Sequence, residues 1–328
     1  MRKSKWIVWV LLAPGLLIVA LTTTYPLLTA LYFSLHNYKL TKPVDWAIQV
    51  GGDSFVNFNF SALSLDNYIQ AFTDDRFINS VVVTLEFTLV SVGLSVILGL
   101  GIALLLQKEG FWHRVTKSIL ILPFAISPAL KGYSWRFMLN ENFGIFDKVI
   151  DLFISAPLNA LINVWNALPF GDIPLISMNL VWLGDGFWAL FMLALSETWG
   201  WAPLIALMFI GALGSIDPHI FESARIDGAN NWQIFTHVTL PILRPVILII
   251  VMLKTIFSLK MFDQVVTMTG GGPIRATQTI NFYVHQVGFV RGLDIGYASA
   301  LSYILVVVLT VVAAGYVLFL LKPDYNGS

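Results

Sequence analysis

The sequence has no cysteine, and only 12% of its 328 residues are charged. Without thiols it has no disulfide bonds, thiolate metal sites or cysteine nucleophiles. Its five histidines are scattered, with no spacing typical of a metal site. No G-x-x-x-x-G-K-S/T loop occurs, so the chain does not hydrolyse ATP by P-loop chemistry. Basic and acidic residues balance at 19 each, which gives no sign of nucleic-acid binding, and no cofactor or metal is expected.

Apolar residues are abundant instead, at 57% of the chain. A soluble domain has about 25% charged residues, so much of this chain is expected to lie in lipid. A membrane-spanning helix needs about 20 apolar residues. Six segments meet that length approximately: 6–31, 81–106, 119–138, 188–213, 246–262 and 298–321. The sequence therefore predicts an all-α integral membrane protein with six transmembrane helices.

The first apolar segment follows Arg2, Lys3 and Lys5, a pattern also found in signal peptides. Its apolar run is longer than the roughly 7–15 residues of a signal peptide, and no clear A-x-A cleavage site follows. We therefore interpret it as an uncleaved span.

The distribution of lysine and arginine predicts the orientation of the spans. The N-terminus and the loop 107–118 are basic, whereas the long loop 139–187 contains only Lys148. Both termini and the loop 214–245 are therefore expected in the cytoplasm. Lys131 and Arg136 count slightly against this orientation, because it places them near the outer end of the third span. The basic residues of the loop 107–118 are Lys108, Arg114 and Lys117.

The segment 149–170 is apolar enough to resemble a seventh span. It also contains an aspartate, three asparagines and two prolines, which are costly in lipid. We interpret it as an interfacial segment on the outer face. A seventh crossing would move the loop 214–245 to the outside.

These assignments divide the chain into three parts. Residues 1–80 form an N-terminal transmembrane helix and a first periplasmic loop. Residues 81–321 form a core of five transmembrane helices, and residues 322–328 form a cytoplasmic tail. Within the core, 139–187 is an extended periplasmic loop and 214–245 a cytoplasmic one.

The loop 214–245 has the pattern of two short helices. Asp217 followed by proline is typical of a helix N-terminus, and Gly228 of a C-terminus. Asn230 or Asn231 begins a second helix over 232–238, which Pro241 is expected to end. A polar helical element between two spans suits a soluble partner, although an ordinary interfacial loop explains the pattern equally well.

The residues of this loop resemble the EAA motif of ABC importer permeases. The stretch E-S-A-R-I-D-G-A at 222–229 precedes Leu240-Pro241, with Ser223 where the family usually has alanine. The stretch T-G-G-G-P at 269–273, after Phe262-Asp263, resembles the carbohydrate, maltose-type branch of the family. Thr277 belongs to the same signature, and two further stretches resemble this branch, I-L-P at 121–123 with Trp135 and G-Y-A-S-A-L at 296–301. The resemblance covers about 67–321, with extra residues around 155–179.

This resemblance implies an ABC type I importer permease fold with a cytoplasmic coupling helix. In the family that helix docks on an ATPase, where the motif's glutamate pairs with a basic residue. Carried over, Glu222 is that glutamate, and Asp227 and Gly228 shape the docked turn. The coupling residues are Glu222, Ser223, Ala224, Asp227 and Gly228.

The resemblance also implies the partners. They are a second permease subunit in a heterodimer, a cytoplasmic P-loop ATPase dimer, a periplasmic solute-binding protein that meets the outer loops, and a carbohydrate substrate. The chain itself is then a non-catalytic subunit of a bacterial inner membrane, and ATP hydrolysis belongs to the separate ATPase.

Three ionisable residues stand out inside the predicted spans, where each costs about 2.5–3.5 kcal/mol at the helix centre. They are Glu197, Lys254 and Lys260. Glu197 and Lys254 are expected to pair across a buried cavity, and a purely structural ion pair is the alternative. Lys260 is near enough to the span's end to snorkel.

The resemblance places the family's sugar contacts on the same two spans. They fall at Glu197, Gly200, Trp201, Leu204, Lys254 and Ser258. Trp199 and Trp201 add aromatic faces that suit sugar rings. Lys254 suits an anionic sugar, but pairing with Glu197 would favour an uncharged di- or oligosaccharide, and both remain open.

Two other classes of protein fit less well. An ion-coupled secondary transporter would use Glu197, Lys254 and Asp263 as a relay. It predicts internal pseudo-symmetry, which is not visible, and gives the loop 214–245 no role. A membrane enzyme needs a catalytic cluster at one membrane face, and no such arrangement is visible.

Overall fold

The computed structural model of the chain describes residues 5–41, 48–49, 57–58, 63–107, 110–141, 143–168, 173–175 and 181–320. Arg2, Lys3, Lys108 and the tail 322–328, which entered the predictions above, lie outside these residues. The described part is almost entirely helical, which confirms the predicted class. Its two short strands, β1 Ile48–Gln49 and β2 Asn57–Phe58, pair antiparallel.

The α-helices are numbered in chain order. They are α1 Lys5–Val19, α2 Tyr25–Ser34, α3 Asp66–Thr73, α4 Asp75–Leu105, α5 Phe111–Leu120, α6 Leu122–Ala125, α7 Pro128–Met138, α8 Ile145–Ile150, α9 Ala156–Asn166, α10 Gly186–Gly214, α11 Pro218–Ile226, α12 Asn231–Ile234, α13 Leu240–Leu259, α14 Ile280–His285 and α15 Ile295–Leu320. π-Helical turns span Ala20–Thr24, Asp151–Ser155, Phe235–Thr239, Val265–Thr269 and Gln286–Arg291.

Within the described residues, five helices are long and apolar enough to cross a membrane, and a bent pair gives a sixth. The five are Trp9–Ser34, Asp75–Leu105, Gly186–Gly214, Asn231–Leu259 and Ile295–Phe319. The bent pair is Phe111–Ala125 with Pro128–Met138, at 96° to each other. The predicted count of six therefore requires the bent pair to be a single span.

The bend corrects the prediction of one continuous helix over 119–138. Ile126 and Ser127 have extended backbones, with ψ of 132° and 137°. A proline disfavours the helical conformation in the residue before it, so Pro128 keeps Ser127 out of the helix and begins α7 itself. The apolar pattern predicted the hydrophobic segment correctly, but the proline divides it.

A second correction concerns Pro241, which was expected to end the helix that begins near Asn230. The helix instead runs from Asn231 to Leu259 without interruption. Pro241 lies in the first turn of α13, directly after the π-helical turn Phe235–Thr239. A proline ring clashes with the carbonyl one regular turn earlier. The wider π turn changes the position of that carbonyl relative to the proline ring, so the helix accommodates Pro241 and continues.

The chain forms two compact units, of which the larger comprises Ser80–Thr279 and Val311–Ser328. Its apolar core contains Ile205 and Phe209 of α10 and Leu243 and Ile250 of α13. Helices in lipid associate through close packing rather than through the hydrophobic effect. Gly99 of α4 illustrates this, because a Cβ there would touch the Ile205 side chain.

The smaller unit comprises Met1–Asn79 and Ile280–Thr310. Asp74, between α3 and α4, accepts hydrogen bonds from the hydroxyls of Tyr283 and, at 2.8 Å, Tyr297. Burial acts to raise the pKa of Asp74, but these bonds and backbone N–H donors lower that pKa below its usual value. Burial and Asp74 raise the pKa of Tyr283. Lys39 and Asp294 form an ion pair at 2.9 Å in the same unit.

The segment expected to be interfacial is helical over most of its length. α8, the turn Asp151–Ser155 and α9 follow each other directly. Phe153 and Val164 are more than 70% exposed on this segment. It is not among the candidate spans of the described residues, and its expected position at the outer face of the membrane stays a prediction.

Candidate functional site

A cavity of about 290 Å³ opens among α6, α7, α10 and the end of α13 in the larger unit. Its lining combines aromatic side chains with two lysines and two carboxylates. The lining residues are Phe124, Ile126, Pro128, Lys131, Glu197, Trp201, Phe257, Lys260, Met261, Phe262 and Asp263. Mixed apolar and charged lining is typical of a site that binds a polar organic ligand.

Glu197 and Lys254 form an ion pair at this cavity, which confirms the predicted pairing. Lys254 Nζ lies 2.8 Å from Glu197 Oε1, and the side chains are 1% and 7% exposed. The same ammonium lies over the ring of Trp201, 5.0 Å from its centroid. A charge-assisted hydrogen bond and a cation–π contact therefore fix the Lys254 side chain.

Trp201 is the centre of an aromatic wall. It lies four residues after Glu197 on α10, so both side chains occupy one helix face. Its ring centroid is 5.5 Å from that of Phe124 and 4.9 Å from that of Phe257. The wall is thus built from three separate helices.

The structure brings some of the predicted pathway residues together and not others. Glu197, Trp201 and Lys260 line the cavity, and Lys254 is bonded to Glu197 behind the lining. The remaining four are Trp199, Gly200, Leu204 and Ser258, none of which lines it.

These four have different surroundings. Trp199 is 40% exposed and its ring lies beside that of Trp135, 6.3 Å between centroids. The Ser258 hydroxyl is buried with no hydrogen-bond partner among the described residues. Gly200 lies next to a side chain that lines the cavity, because a Cβ at this position would touch the ammonium of Lys131. Leu204 is half-buried on α10.

Lys131 is a cavity residue that sequence reasoning missed. It is only 4% exposed and lines the cavity beside Glu197. In the sequence it served as evidence about orientation, because a straight helix over 119–138 placed it near the outer end. The rule that selected Glu197, an ionisable residue inside an apolar segment, would have selected Lys131 as well.

The loop that resembles the EAA motif forms a helix with both ends capped. The Asp217 carboxylate accepts the backbone N–H of His219 at 3.0 Å, as predicted for an N-cap. At the other end Gly228 has φ of +84°. Its N–H donates to the Arg225 carbonyl, and that of Ala229 to the Ala224 carbonyl, which forms a Schellman motif.

The predicted coupling residues are accessible on this helix and the turn after it. Glu222, Ser223, Asp227 and Gly228 are exposed and Ala224 is partly buried. Beside them Ile226 is 86% exposed, an unusual value for an isoleucine. The Glu222 carboxylate lies 3.3 Å from the ring of His219. Asn230, rather than Asn231, caps the next helix, and its side chain and that of Gln233 form a reciprocal capping box.

A cleft of about 860 Å³ lies next to this helix, also within the larger unit. Glu222 and Arg225 line it from α11, and Trp232 and Phe235 line it from the start of the following helix. Over the described residues there is no group of three or more histidine or acidic side chains that could hold a metal ion.

Comparison with known proteins agrees with this arrangement. Residues 95–325 match the family described as the inner membrane component of binding-protein-dependent transport systems. The trehalose/maltose transport system permease protein of Thermococcus litoralis is 30% identical, over 76% of this chain and 78% of that protein. The sulfoquinovosyl glycerol transport system permease protein of Agrobacterium fabrum is 28% identical, over 96% of this chain and 90% of that protein.

The fold also matches a solved structure. A chain of a bacterial ABC transporter involved in the import of the acidic polysaccharide alginate has a TM-score of 0.73 and 18% identity, with 98% of this chain and 97% of that chain covered. At this identity the match supports the fold alone. The family match covers well over half of the sequence, including the capped loop and every residue that lines the cavity. The chain therefore belongs to the family of inner membrane components of binding-protein-dependent transport systems.

Proposed function

We propose that this chain is a permease subunit of an ATP-driven importer that moves a sugar or oligosaccharide delivered by a periplasmic binding protein. The observation that carries the proposal is the short helix α11, which is capped at both ends and exposed between two candidate spans. The names of the relatives, which are transport proteins for trehalose, maltose and sulfoquinovosyl glycerol, support a carbohydrate substrate.

The capped helix suits the transfer of force from a soluble subunit. Its N-cap and Schellman motif hold the ends, so α11 can move as a rigid body when a docked subunit moves. The exposed Glu222 provides a charge for pairing, and the exposed Ile226 provides an apolar contact. Because the chain has no P-loop, the partner that fits this surface is a separate ATPase dimer.

The cavity suits the substrate pathway. Aromatic faces such as that of Trp201 stack on the C–H faces of sugar rings, while charged side chains form hydrogen bonds with the sugar hydroxyls. In this proposal Glu197, Trp201 and Lys260 contact the substrate, and Lys254 holds Glu197 in place. Gly200 leaves room beside the pathway, and Trp199, Leu204 and Ser258 support it from outside the cavity.

The remaining partners follow from the same function. A second permease subunit completes the pathway, a periplasmic binding protein docks on the outer loops, and the lipid is that of a bacterial inner membrane. Both termini and α11 face the cytoplasm. The segment 139–187 and the stretch 269–273 face the binding protein.

The test is uptake by the complete importer in proteoliposomes, with ATP supplied inside or omitted. We expect the permease to co-purify with a P-loop ATPase, and sugar uptake to require ATP and the binding protein. Uptake that continues without ATP and stops when the proton or sodium gradient is dissipated would overturn the proposal. That result would favour the ion-coupled transporter with Glu197, Lys254 and Asp263.

A further inference from the structure

The charges at the cavity do not balance. Lys131, Lys260, Glu197 and Asp263 line it, and Lys254 is bonded to Glu197 directly behind the lining. Three lysines therefore meet two carboxylates. Lys260 and Asp263 are both exposed and of opposite sign, so they do not account for the excess. The uncompensated positive charge belongs to the three buried groups Lys131, Lys254 and Glu197.

Lys254 is already satisfied within the protein. Its ammonium bonds to Glu197 at 2.8 Å and lies against the face of Trp201, and its side chain is only 1% exposed. It does not line the cavity. A ligand would have to displace one of these contacts to reach it, so Lys254 is the counter-ion of Glu197 rather than a receptor for substrate.

Lys131 is in the opposite situation. Lys131 is 96% buried and lines the cavity. Its ammonium forms no hydrogen bond with any of the described residues. Glu197 acts on it electrostatically, but the carboxylate is bonded to Lys254. An ammonium has three donors, and those of Lys131 are open to the cavity. A ligand that enters the cavity can therefore supply acceptors to this ammonium.

The neighbours of Lys131 specify what kind of ligand this is. A Cβ at Gly200 would touch the Lys131 ammonium, so the backbone leaves space for that group beside the pathway. Trp201, Phe124 and Phe257 form the aromatic wall of the same cavity. An aromatic wall next to an unpaired cation suits a sugar ring that carries an acidic group.

We propose that Lys131 binds the anionic group of an acidic sugar, a carboxylate, sulfonate or phosphate, as it passes through this cavity. The proposal rests on the sugar-import function above and narrows its substrate class. It also assigns the specificity to Lys131 rather than to Lys254, the residue that the sequence suggested for an anionic sugar. An uncharged sugar would leave the ammonium with hydroxyl acceptors only, which bind it less strongly than an anion does.

The test compares acid and neutral forms of one sugar. One acidic probe is a uronate disaccharide, and its neutral counterpart is the methyl ester. The other two acidic probes are 6-sulfoglucosyl glycerol and 6-phosphoglucosyl glycerol, and their neutral counterpart is glucosyl glycerol. ATP-dependent uptake is measured in proteoliposomes that contain the complete importer and its own binding protein. Because the same binding protein serves every variant, differences between variants report the membrane subunits.

We expect Lys131→Met to lower uptake of the acid that the wild type carries by at least tenfold, while Lys131→Arg retains most of it. Arg136→Met is the matched control, because it removes one positive charge from an exposed position on the same helix, outside the cavity. It should change uptake less than twofold. The amount of assembled complex is measured for each variant, so that a folding defect is not mistaken for lost binding.

The outcomes separate the two proposals. If the wild type carries only neutral sugars with ATP, or if Lys131→Met and Arg136→Met transport the acid equally well, the inference about Lys131 is wrong and sugar import stands. If Lys131→Met does not assemble, Lys131→Arg and Gly200→Ala are measured in its place. Uptake of the acidic sugar that is unchanged in Gly200→Ala would then contradict the inference. If no sugar is taken up with ATP, the proposed function itself is wrong.

Discussion

Lys254 Nζ donates a hydrogen bond of 2.8 Å to Glu197 Oε1, and the two residues lie on different candidate spans. Both side chains are almost completely buried, and the ammonium also faces the ring of Trp201. Lys131 is a second cation that acts on the same carboxylate. The three charges form one cluster, so the effect of removing any of them depends on which two remain.

Removing one member of the buried pair is expected to destabilise the protein strongly. Loss of one partner from a buried ion pair costs about 3–5 kcal/mol, because it leaves an uncompensated charge. Glu197→Gln should cost more than Lys254→Met, since it leaves two buried lysines without a carboxylate, whereas Lys254→Met leaves Glu197 near Lys131. The measurement is thermal unfolding of the detergent-purified complex.

The double variant Glu197→Gln with Lys254→Met completes this experiment as a double-mutant cycle. It should be more stable than Glu197→Gln alone, because one of the two orphaned ammoniums is gone. Equal stability of the two single variants would contradict the cluster of three charges. Additive losses in the double variant would contradict the ion pair.

Gly200→Ala is expected to change selectivity more than stability. The new Cβ would touch the ammonium of Lys131 and displace it, and the far end of a lysine can move. Uptake of an acidic sugar should fall roughly tenfold or more, since small misplacements in a binding site are costly. The control is Gly211→Ala on the same helix, where a Cβ meets nothing within 4 Å. If both variants transport alike, Gly200 has no role beside Lys131.

The spans could be predicted from the sequence because lipid imposes a simple requirement, a long apolar segment. The breaks inside them could not be predicted from apolar length alone. Pro128 divides its segment, whereas Pro241 does not end its helix, because a π-helical turn precedes it. The same residue type thus has opposite effects, and the surrounding backbone decides which one occurs.

The candidate site was predictable in part for a related reason. Glu197 and Lys254 stand out as charges inside apolar segments, and Asp217 and Gly228 as capping residues. Lys131 has the same character, but its segment was interpreted as a straight helix that ended nearby. Trp199 and Ser258 lie on the correct helices but do not line the cavity. Which face of a helix lines a cavity depends on packing, which one sequence does not specify.

Tyr283→Phe is expected to lower stability in a pH-dependent way. The Tyr283 hydroxyl donates to the Asp74 carboxylate, which helps to lower the pKa of Asp74 in the folded protein. A carboxyl group whose pKa is lower in the folded than in the unfolded protein stabilises the fold at pH values above its unfolded pKa. This stabilisation is lost as the pH falls through its folded pKa. The loss of melting temperature should therefore be larger at about pH 6 than at about pH 3. Tyr133→Phe, at an exposed tyrosine, is the control; an equal loss at both pH values would contradict the role of the charged carboxylate.

Glu222→Lys is expected to uncouple transport without preventing assembly in the membrane. Glu222 is exposed on α11, so the protein does not need it for its own folding. Reversal of its charge should repel the basic residue of a docked ATPase and reduce uptake at least tenfold. Uptake should return in part when that basic residue is changed to glutamate. Full transport by Glu222→Lys would rule out docking through this carboxylate.

Gly228 offers a test of the turn itself. Its φ of +84° is a conformation that β-branched residues rarely adopt, although a Cβ there would meet nothing within 4 Å. The effect of a substitution therefore arises from backbone strain, not from a clash, and strain of this kind costs about 1–3 kcal/mol. Gly228→Val should disrupt the hydrogen bonds that close α11 and lower uptake strongly, whereas Gly228→Asn should retain more, because asparagine tolerates positive φ. ATPase activity stimulated by the binding protein is measured alongside uptake. If valine and asparagine give the same uptake and the same stimulation, the closed turn does not matter for coupling, and the rigid helix is not what transmits the force.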